Sequence, residues 1–193
     1  MNSKNKLFTT ISTGRLKGKK LSLPSLKTTR STKNIVKGSL FDTIRNELHG
    51  KFFIECFGGS ALMAIEAYSN YAKMGIAIEK DKSAYEITKS NMKSIDEQNL
   101  IPIYGDCFIE LPKLLLNLKE ELILYIDPPF EIREGFEKIY NDVFNMIKNI
   151  KNNNIYLIII EHMSTLEMPE NLEKFSLEKT RKFGKSSLSY YSL

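Results

Sequence analysis

The sequence of 193 residues predicts an α/β protein with a mostly parallel sheet that has helices on both faces. Three observations favour this fold class. From residue 52 onward, short apolar runs alternate with segments of helical periodicity. The runs are apolar at consecutive positions, as expected for strands that are covered on both faces. Polar or glycine-containing groups follow the predicted strands, which is where ligands bind in such sheets.

Each predicted element has a local cause. Thr32 is a suitable N-cap, and the apolar residues after it recur at helical spacing, which predicts a helix to about residue 48. Those apolar residues are Ile35, Val36, Leu40, Phe41, Ile44 and Leu48. The predicted parallel strands are residues 52–57, 74–79, 100–104, 122–126 and 155–160. The helices between them are residues 61–71, 81–92, 107–118 and 134–150. Two β-prone runs around Gly184, residues 175–182 and 187–192, predict a terminal antiparallel hairpin.

The charge of the chain is unevenly distributed. Residues 1–41 carry ten Lys or Arg residues and no acidic residue, whereas the rest carries the other 18 basic residues and all 23 acidic ones. A basic segment on a mildly acidic body indicates a polyanionic partner. Short β-prone pieces around Gly14 and Gly18 predict a hairpin in this segment. We therefore predict a basic N-terminal extension, residues 1–31, that contacts nucleic acid, and a domain formed by residues 32–193.

Composition excludes several other classes. No apolar run approaches the ~18 residues of a membrane span, and residues 1–6 are polar and lead into no apolar signal region. Cys56 and Cys107 are far apart and have no metal-ligand spacing, so we expect no metal site and a reduced, cytoplasmic setting. A monomer is the default expectation.

A glycine-containing turn and three acidic residues follow the first three predicted strands. Gly58 and Gly59 allow the backbone to approach a ligand closely. Ala61 and Ala64 stand where a dinucleotide fingerprint after Gly59 has its other glycines, which disfavours a phosphate site. S-adenosylmethionine (AdoMet) has no phosphate and suits this turn better. The expected cofactor-binding residues are Glu55, Phe57, Gly58, Gly59, Ser60, Glu79, Lys80, Asp106 and Cys107.

Three of these residues have an expected partner on the cofactor. Glu79 lies 20 residues after Gly59 and suits a ribose diol. Asp106 suits the adenine amino group, and Glu55 suits the positively charged methionine end.

The segment Asp127-Pro128-Pro129-Phe130 gives the sharpest chemical prediction. Two prolines after a buried strand form a rigid turn. The Asp127 carboxylate and the Pro128 carbonyl can then accept hydrogen bonds from an exocyclic amine, whose lone pair becomes available to a methyl donor. Asp127 can also take the departing proton, and Phe130 offers a face on which a base stacks. We predict that these four residues form the catalytic turn.

These residues also carry a resemblance. The Asp-Pro-Pro-Phe segment is similar to the [Asn/Asp]-Pro-Pro-[Tyr/Phe/Trp] signature of amino methyltransferases. Over nearly its whole length the chain resembles the bacterial 16S ribosomal RNA (guanine-N2)-methyltransferases. The matching segments are ISTGRLKGKKLSLP from residue 11, Arg30-Ser31-Thr32 against Arg-Pro-Thr, Val36, Lys37, Leu40, Phe41, ECFGGSALMAIEA from residue 55, Asn91 and Lys182-Phe183-Gly184. Glu55 replaces an aspartate of that family, and Ala61 replaces its second glycine.

The resemblance implies a Rossmann-like class I methyltransferase fold, with a seven-stranded, mostly parallel sheet and a terminal antiparallel hairpin. It implies transfer of a methyl group from AdoMet to the N2 amino group of a guanine in 16S ribosomal RNA, within a small-subunit ribonucleoprotein particle. The residues expected to bind that RNA are Arg15, Lys17, Lys19, Lys20, Arg30, Thr32, Lys37 and Lys182.

Two other functions remain open at this point. The same pocket suits a DNA base or a protein glutamine, although the chain has no recognisable DNA target-recognition domain and its basic extension is a poor match to an acidic protein surface. The departures at Glu55 and Ala61 also leave open an RNA-binding relative that has lost catalysis. Measuring AdoMet binding separates this last alternative from an enzyme.

Overall fold

The computed structural model describes residues 7–24, 30–129 and 138–193, and for residues 30–33 it describes the backbone alone. The basic extension forms a two-stranded antiparallel hairpin of β1 (Leu7–Thr10) and β2 (Lys20–Leu23). Ile11 and Leu21 are 1% exposed and belong to the apolar core of the main domain. The predicted hairpin is therefore present, and it is packed against the domain.

Helix α1 (Arg30–Ile44) follows the extension and continues into a 3₁₀ turn, Arg45–Glu47. The helix begins two residues before the predicted cap at Thr32. The change to 3₁₀ geometry ends the regular helix four residues before Leu48, which is still buried. Gly50 then reverses the chain with a φ of +79°.

The main sheet contains five parallel strands and an antiparallel C-terminal part. The parallel strands are β3 (Phe52–Glu55), β4 (Met74–Glu79), β5 (Leu100–Tyr104), β6 (Leu122–Ile126) and β7 (Ile155–Met163). The antiparallel strands are β8 (Asn171–Leu172), β9 (Phe175–Phe183) and β10 (Ser186–Ser192). The strand order is β5-β4-β3-β6-β7-β10-β9-β8. The predicted seven strands are confirmed, and the two-residue β8 extends the edge beyond β9.

The helices between the strands are α2 (Leu62–Ser69), α3 (Lys82–Ile95), α4 (Cys107–Leu115) and α5 (Ile139–Lys148). Successive residues of β6 point to opposite faces of the sheet. Ile123 and Tyr125 join the core formed with α1, α2 and α3, whereas Leu124 and Ile126 join the core formed with α4 and α5. This arrangement is the α/β fold with two covered faces that the sequence predicts.

The described part of the chain offers no candidate for a membrane crossing, since none of its helices combines the necessary length with the necessary apolar character.

Candidate active site

The strand order reverses between β3 and β6, and this point defines the candidate site. From β3 the chain runs outward through β4 and β5, then crosses back to β6 on the other side of β3. Ligands bind in the crevice that such a reversal leaves at the carboxyl ends of the strands. The amide of Cys56 donates to the carbonyl of Tyr125 at 2.9 Å. The segments that follow β3 and β6 therefore start side by side.

The glycine loop, residues 56–61, follows β3 with a strained backbone. Gly58 donates to the Ile78 carbonyl at 2.8 Å, and a Cβ on Gly58 would lie only 3.2 Å from that oxygen. Gly59 and Ala61 have φ values of +53° and +59°. Ala61 is the N-cap of α2 but provides no side-chain hydrogen bond to it. Glycine is therefore favoured at residue 58 by the close contact and at residues 59 and 61 by the positive φ, and alanine occupies the last of these positions.

Glu79, at the end of β4, holds the glycine loop. Its Oε2 accepts from the Gly59 amide at 2.6 Å, and its Oε1 accepts from the Asp81 amide at 2.7 Å. The side chain is half-buried. A carboxylate has about four acceptor positions, so Glu79 retains capacity for two hydroxyl donors. The structure therefore joins the predicted ribose-binding residue directly to the predicted loop.

Glu55 is buried beneath the same loop. Its Oε2 accepts from the Ala64 amide at 2.9 Å, and the residue is 5% exposed. Ala64 is the third residue of α2, so Glu55 satisfies one of the free amides of that helix N-terminus and lies at the positive end of its dipole. This contact supplies the cap that Ala61 cannot provide. The expected contact of Glu55 with the methionine end of a cofactor stays a prediction.

Asp106 and Lys80 form an ion pair on the outer side of the site. Asp106 caps α4 through the Phe108 amide at 3.1 Å and accepts from Lys80 Nζ at 2.8 Å. The hydrogen bond to Asp106 raises the pKa of Lys80 above its ordinary value. Lys80 is largely exposed, so the pair adds little stability. Asp106 already has two partners, and part of its carboxylate can still accept a further donor. The expected contact with an adenine amino group stays a prediction.

Phe57, Ser60 and Cys107 contribute to packing around the loop. The Phe57 and Phe108 rings meet edge-on with centroids 6.0 Å apart. Ser60 is buried, and its carbonyl accepts from Asn91 at 2.9 Å. Cys107 is 3% exposed, and burial raises the pKa of its thiol. A thiol of this kind is a packing group and not a nucleophile.

The predicted catalytic turn is described as far as Pro129, and Phe130 lies outside the described residues. Asp127 is half-buried and Pro128 is buried. Two residues earlier, the Tyr125 hydroxyl donates to Glu161 Oε2 of β7 at 2.6 Å. Burial, followed by the charges of Glu161 and Asp127, raises the pKa of Tyr125, so its hydroxyl stays protonated. The strand that leads into the turn is thus fixed by a buried hydrogen bond.

Lys37 does not lie where the prediction of RNA contact requires. It is 3% exposed, and its Nζ lies 3.2 Å from Glu66 Oε2 and 3.1 Å from the Thr10 carbonyl. Glu66 is fully buried on α2 and also accepts from the amides of Ser12 and Thr13 at 2.7–3.0 Å. The prediction for Lys37 is wrong, because a buried carboxylate holds this lysine inside the protein, where it anchors the extension.

The other predicted RNA-binding residues differ in their surroundings. Lys17, Lys19 and Lys20 are exposed at the closed end of the hairpin. Arg15 is exposed too, but its guanidinium lies 4.0 Å from the centre of the Tyr68 ring. Lys182 is exposed on β9. Arg30 and Thr32 belong to the first turn of α1, and their side chains lie outside the described part.

Three sets of contacts around the site were not predicted from the sequence. They are the contacts by which Glu66 anchors the extension, the hydrogen bond from Asn91 of α3 to the glycine loop, and the Tyr125–Glu161 hydrogen bond. Glu66 and Asn91 were among the residues shared with the resembled family, which marked them without indicating a role. The Tyr125–Glu161 pair joins residues 36 positions apart, and no local pattern connects them.

Comparisons with known proteins identify the family of the chain. The model of the family described as conserved hypothetical protein 95 matches residues 9–192. Two curated relatives are both named ribosomal RNA small subunit methyltransferase D. The relative from Buchnera aphidicola subsp. Baizongia pistaciae is 30% identical over 187 residues, covering 94% of this chain and 90% of the relative. The one from Buchnera aphidicola subsp. Acyrthosiphon pisum is 29% identical over 161 residues, covering 83% of this chain and 82% of the relative.

A solved structure shows the same fold. The “Putative methyltransferase yhhF” of Escherichia coli superposes with a TM-score of 0.74 at 24% identity, covering 96% of this chain and 98% of that one. The predicted Rossmann-like methyltransferase fold is therefore confirmed. With the match over residues 9–192 and the 30% identity along most of both chains, this protein belongs to the conserved hypothetical protein 95 family, together with proteins named ribosomal RNA small subunit methyltransferase D.

Proposed function

We propose that this protein transfers a methyl group from AdoMet to the exocyclic N2 amino group of a guanine in 16S ribosomal RNA. The main support is the position of two segments. The glycine loop with Glu79 and the Asp127 turn flank the same reversal of strand order. The names of the curated relatives support a small-subunit ribosomal RNA as the substrate.

The residues around the reversal suit AdoMet. A Cβ on Gly58 would make a tight contact of 3.2 Å with the Ile78 carbonyl, so glycine lets the loop backbone pack closely against β4. Glu79 would hold the ribose, Asp106 the adenine amino group, and Glu55 the side of the site nearest the methionine ammonium. AdoMet supplies the methyl group on a positively charged sulfur. The absence of a glycine at position 61 disfavours a phosphate-bearing cofactor.

The Asp127 turn would prepare the acceptor nitrogen. The guanine amine is a weak nucleophile because its lone pair is delocalised into the ring. Hydrogen bonds from its two N–H groups to the Asp127 carboxylate and the Pro128 carbonyl localise that lone pair on nitrogen. As the new C–N bond forms and the C–S bond breaks, one proton leaves the nitrogen for Asp127 and then for solvent. The buried Tyr125–Glu161 hydrogen bond keeps the end of β6 in place during this step.

The hairpin would supply contact to the RNA backbone. Lys17, Lys19 and Lys20 are exposed and close together in sequence, and no acidic residue occurs before Asp42. Phosphate contacts of this kind position an RNA without reading its sequence. We propose that this surface places the guanine over the Asp127 turn.

Methylation of isolated small ribosomal subunits tests the proposal. Purified protein is incubated with labelled AdoMet and with subunits from cells that lack the corresponding gene, and the RNA is digested to nucleosides for mass spectrometry. We expect label in N2-methylguanosine from 16S ribosomal RNA. Label in a different nucleoside contradicts the guanine-N2 assignment. Transfer to DNA or to a protein glutamine, with none to RNA, contradicts the proposed substrate.

A further inference from the structure

Asn91 of α3 joins the basic hairpin to the glycine loop through one buried carboxamide. Its Nδ2 donates to the carbonyl of Ser22 and to the carbonyl of Ser60, both at 2.9 Å. Its Oδ1 accepts from the Ser22 amide at 2.9 Å. Asn91 is 5% exposed. Ser22 lies in β2 and Ser60 lies in the glycine loop, so this one side chain contacts both parts of the proposed site.

Two other anchors of the described part of the extension, Glu66 and Ser69, contact it away from the glycine loop. Glu66 and Ser69 lie in the second half of α2 and hold the connection between β1 and β2, with Glu66 accepting from Thr13 and Ser69 donating to its carbonyl. These contacts fix the extension to a buried helix. The bridge by Asn91 differs because it ends on the backbone that faces the cofactor site.

The same face of α3 holds two successive carbonyls of the loop. Thr88, one helical turn before Asn91, donates to the Gly59 carbonyl at 3.1 Å. On its other side, Gly59 donates to Glu79 Oε2. A ribose diol that uses both oxygens of Glu79 would share Oε2 with the Gly59 amide. Ligand binding would then act on the loop backbone, and the carboxamide of Asn91 links Ser60 of that loop to the hairpin.

We infer that Asn91 is a positioning residue that couples the cofactor site to the RNA-binding hairpin. This inference rests on the proposed function. A bound cofactor fixes the glycine loop, the carboxamide then fixes β2, and the RNA meets a hairpin that is already ordered. Coupling of this kind is reciprocal, so bound RNA must tighten cofactor binding by the same factor.

Hydrogen exchange of the full-length protein tests this coupling. The probe is S-adenosylhomocysteine, the product left after methyl transfer, and the readout is the exchange rate of amides in residues 15–24. In the wild-type protein we expect the probe to slow this exchange by about fivefold or more, the lower end of typical coupling. In Asn91→Ala we expect no slowing. Ser90→Ala, at the exposed neighbouring position of α3, should respond as the wild type does.

A second variant removes one of the two hydrogen bonds between Asn91 and Ser22 without changing the buried helix. Ser22→Pro lacks the amide that donates to Asn91, and proline is tolerated where a strand amide points away from its neighbour. Because the Ser22 carbonyl still accepts from Asn91, we expect Ser22→Pro to reduce the response to the probe without abolishing it. Undiminished slowing of the amide exchange in both variants overturns the inference. An exchange rate that the probe leaves unchanged in the wild type overturns it too.

Calorimetry separates failure of the coupling from failure of the proposed function. We expect S-adenosylhomocysteine to bind the wild type at least about fivefold more tightly when the small subunit is present, and with equal affinity in Asn91→Ala. If the wild type binds no S-adenosylhomocysteine at all, the proposed function itself fails. If it binds and methylates RNA but shows no RNA-dependent change in affinity, only the coupling is wrong.

Discussion

Glu79 Oε2 lies 2.6 Å from the amide nitrogen of Gly59, so the acidic end of β4 directly holds the loop that follows β3. The two residues are 20 positions apart and meet because β3 and β4 are parallel neighbours. This contact makes Glu79 the residue that holds the loop, and the proposed function assigns it the ribose as well.

Replacing Glu79 should therefore weaken cofactor binding. Glu79→Ala removes a charged acceptor, and hydrogen bonds to charged groups contribute about 1.5–3 kcal/mol. We expect the Kd for AdoMet to rise by roughly tenfold to 150-fold, measured by calorimetry. Glu86→Ala, which removes an exposed carboxylate on α3, is the matched control. An unchanged Kd in Glu79→Ala would show that the ribose binds elsewhere.

Ala61 and Ala64 are both fully buried, but their backbones differ. Ala64 is helical, so Ala64→Gly should destabilise the protein by about 2 kcal/mol, from helix propensity and one lost methyl. Ala61 has a φ of +59°, a conformation that costs a non-glycine residue roughly 1–2 kcal/mol. We expect Ala61→Gly to change the free energy of unfolding by less than about 1 kcal/mol, because relief of this strain offsets the lost methyl and the added chain entropy. Urea denaturation measures the free energy of unfolding of both variants. Equal losses of stability in Ala61→Gly and Ala64→Gly would contradict the strain at residue 61.

Lys37 should behave as a structural residue. Lys37→Met leaves the buried Glu66 carboxylate without its cation, and breaking a buried pair costs about 3–5 kcal/mol. We expect a loss near 3 kcal/mol in the free energy of unfolding, because the amides of Ser12 and Thr13 still contact Glu66. Lys148→Met, at an exposed position of α5, should change stability by at most about 0.5 kcal/mol. Equal stabilities for the two variants would refute the buried role of Lys37.

His162 should make stability depend on pH. Its ring is buried and hydrogen-bonded to Ser189 and to the Met163 carbonyl, and burial lowers its pKa below the ordinary value. The unfolded chain then takes up the proton at a higher pH than the folded protein does. The stability that the neutral His162 ring adds to the folded protein is thus complete above the ordinary pKa of ~6.5. It is lost as the pH falls toward the lowered pKa of the folded state.

The measurement is the free energy of unfolding at pH 7.5 and at pH 5.5. We expect the wild type to lose more stability over this interval than His162→Gln, which cannot titrate. An equal or larger loss in the variant would place the titrating groups elsewhere.

The sequence predicted the order of elements well because each element has a local cause. Apolar runs specify the strands, and Asp81 and Asp106 cap the helices that follow β4 and β5. Contacts between residues far apart in the sequence were harder to predict. Lys37 lies at helical spacing from Leu40 and Phe41, on the buried face of α1, where Glu66, 29 positions away, and the Thr10 carbonyl compensate its burial. Ile35 was expected on the apolar face and is 62% exposed.

The location of the candidate site was predictable for a related reason. The residues that end parallel strands share one edge, so Glu79 and Asp127 could be assigned to a single site from the strand pattern. The contacts of Asn91 and the Tyr125–Glu161 pair depend on side chains meeting across 31 to 69 positions. Such meetings follow from the packed fold and leave no periodic pattern in the sequence.

Single-turnover methyl transfer by two variants of Asp127 tests the central claim most directly. Asp127→Ala removes the carboxylate that accepts a hydrogen bond from the guanine amine. We expect the rate of methyl transfer to fall by about 10²–10³-fold while the Kd for AdoMet stays within about twofold of the wild type. Asp127→Asn keeps an acceptor oxygen and should retain far more activity than Asp127→Ala, even though it cannot take the proton. Full activity of Asp127→Ala on the small subunit would contradict the assignment of the Asp127 turn as the place where the amine is methylated.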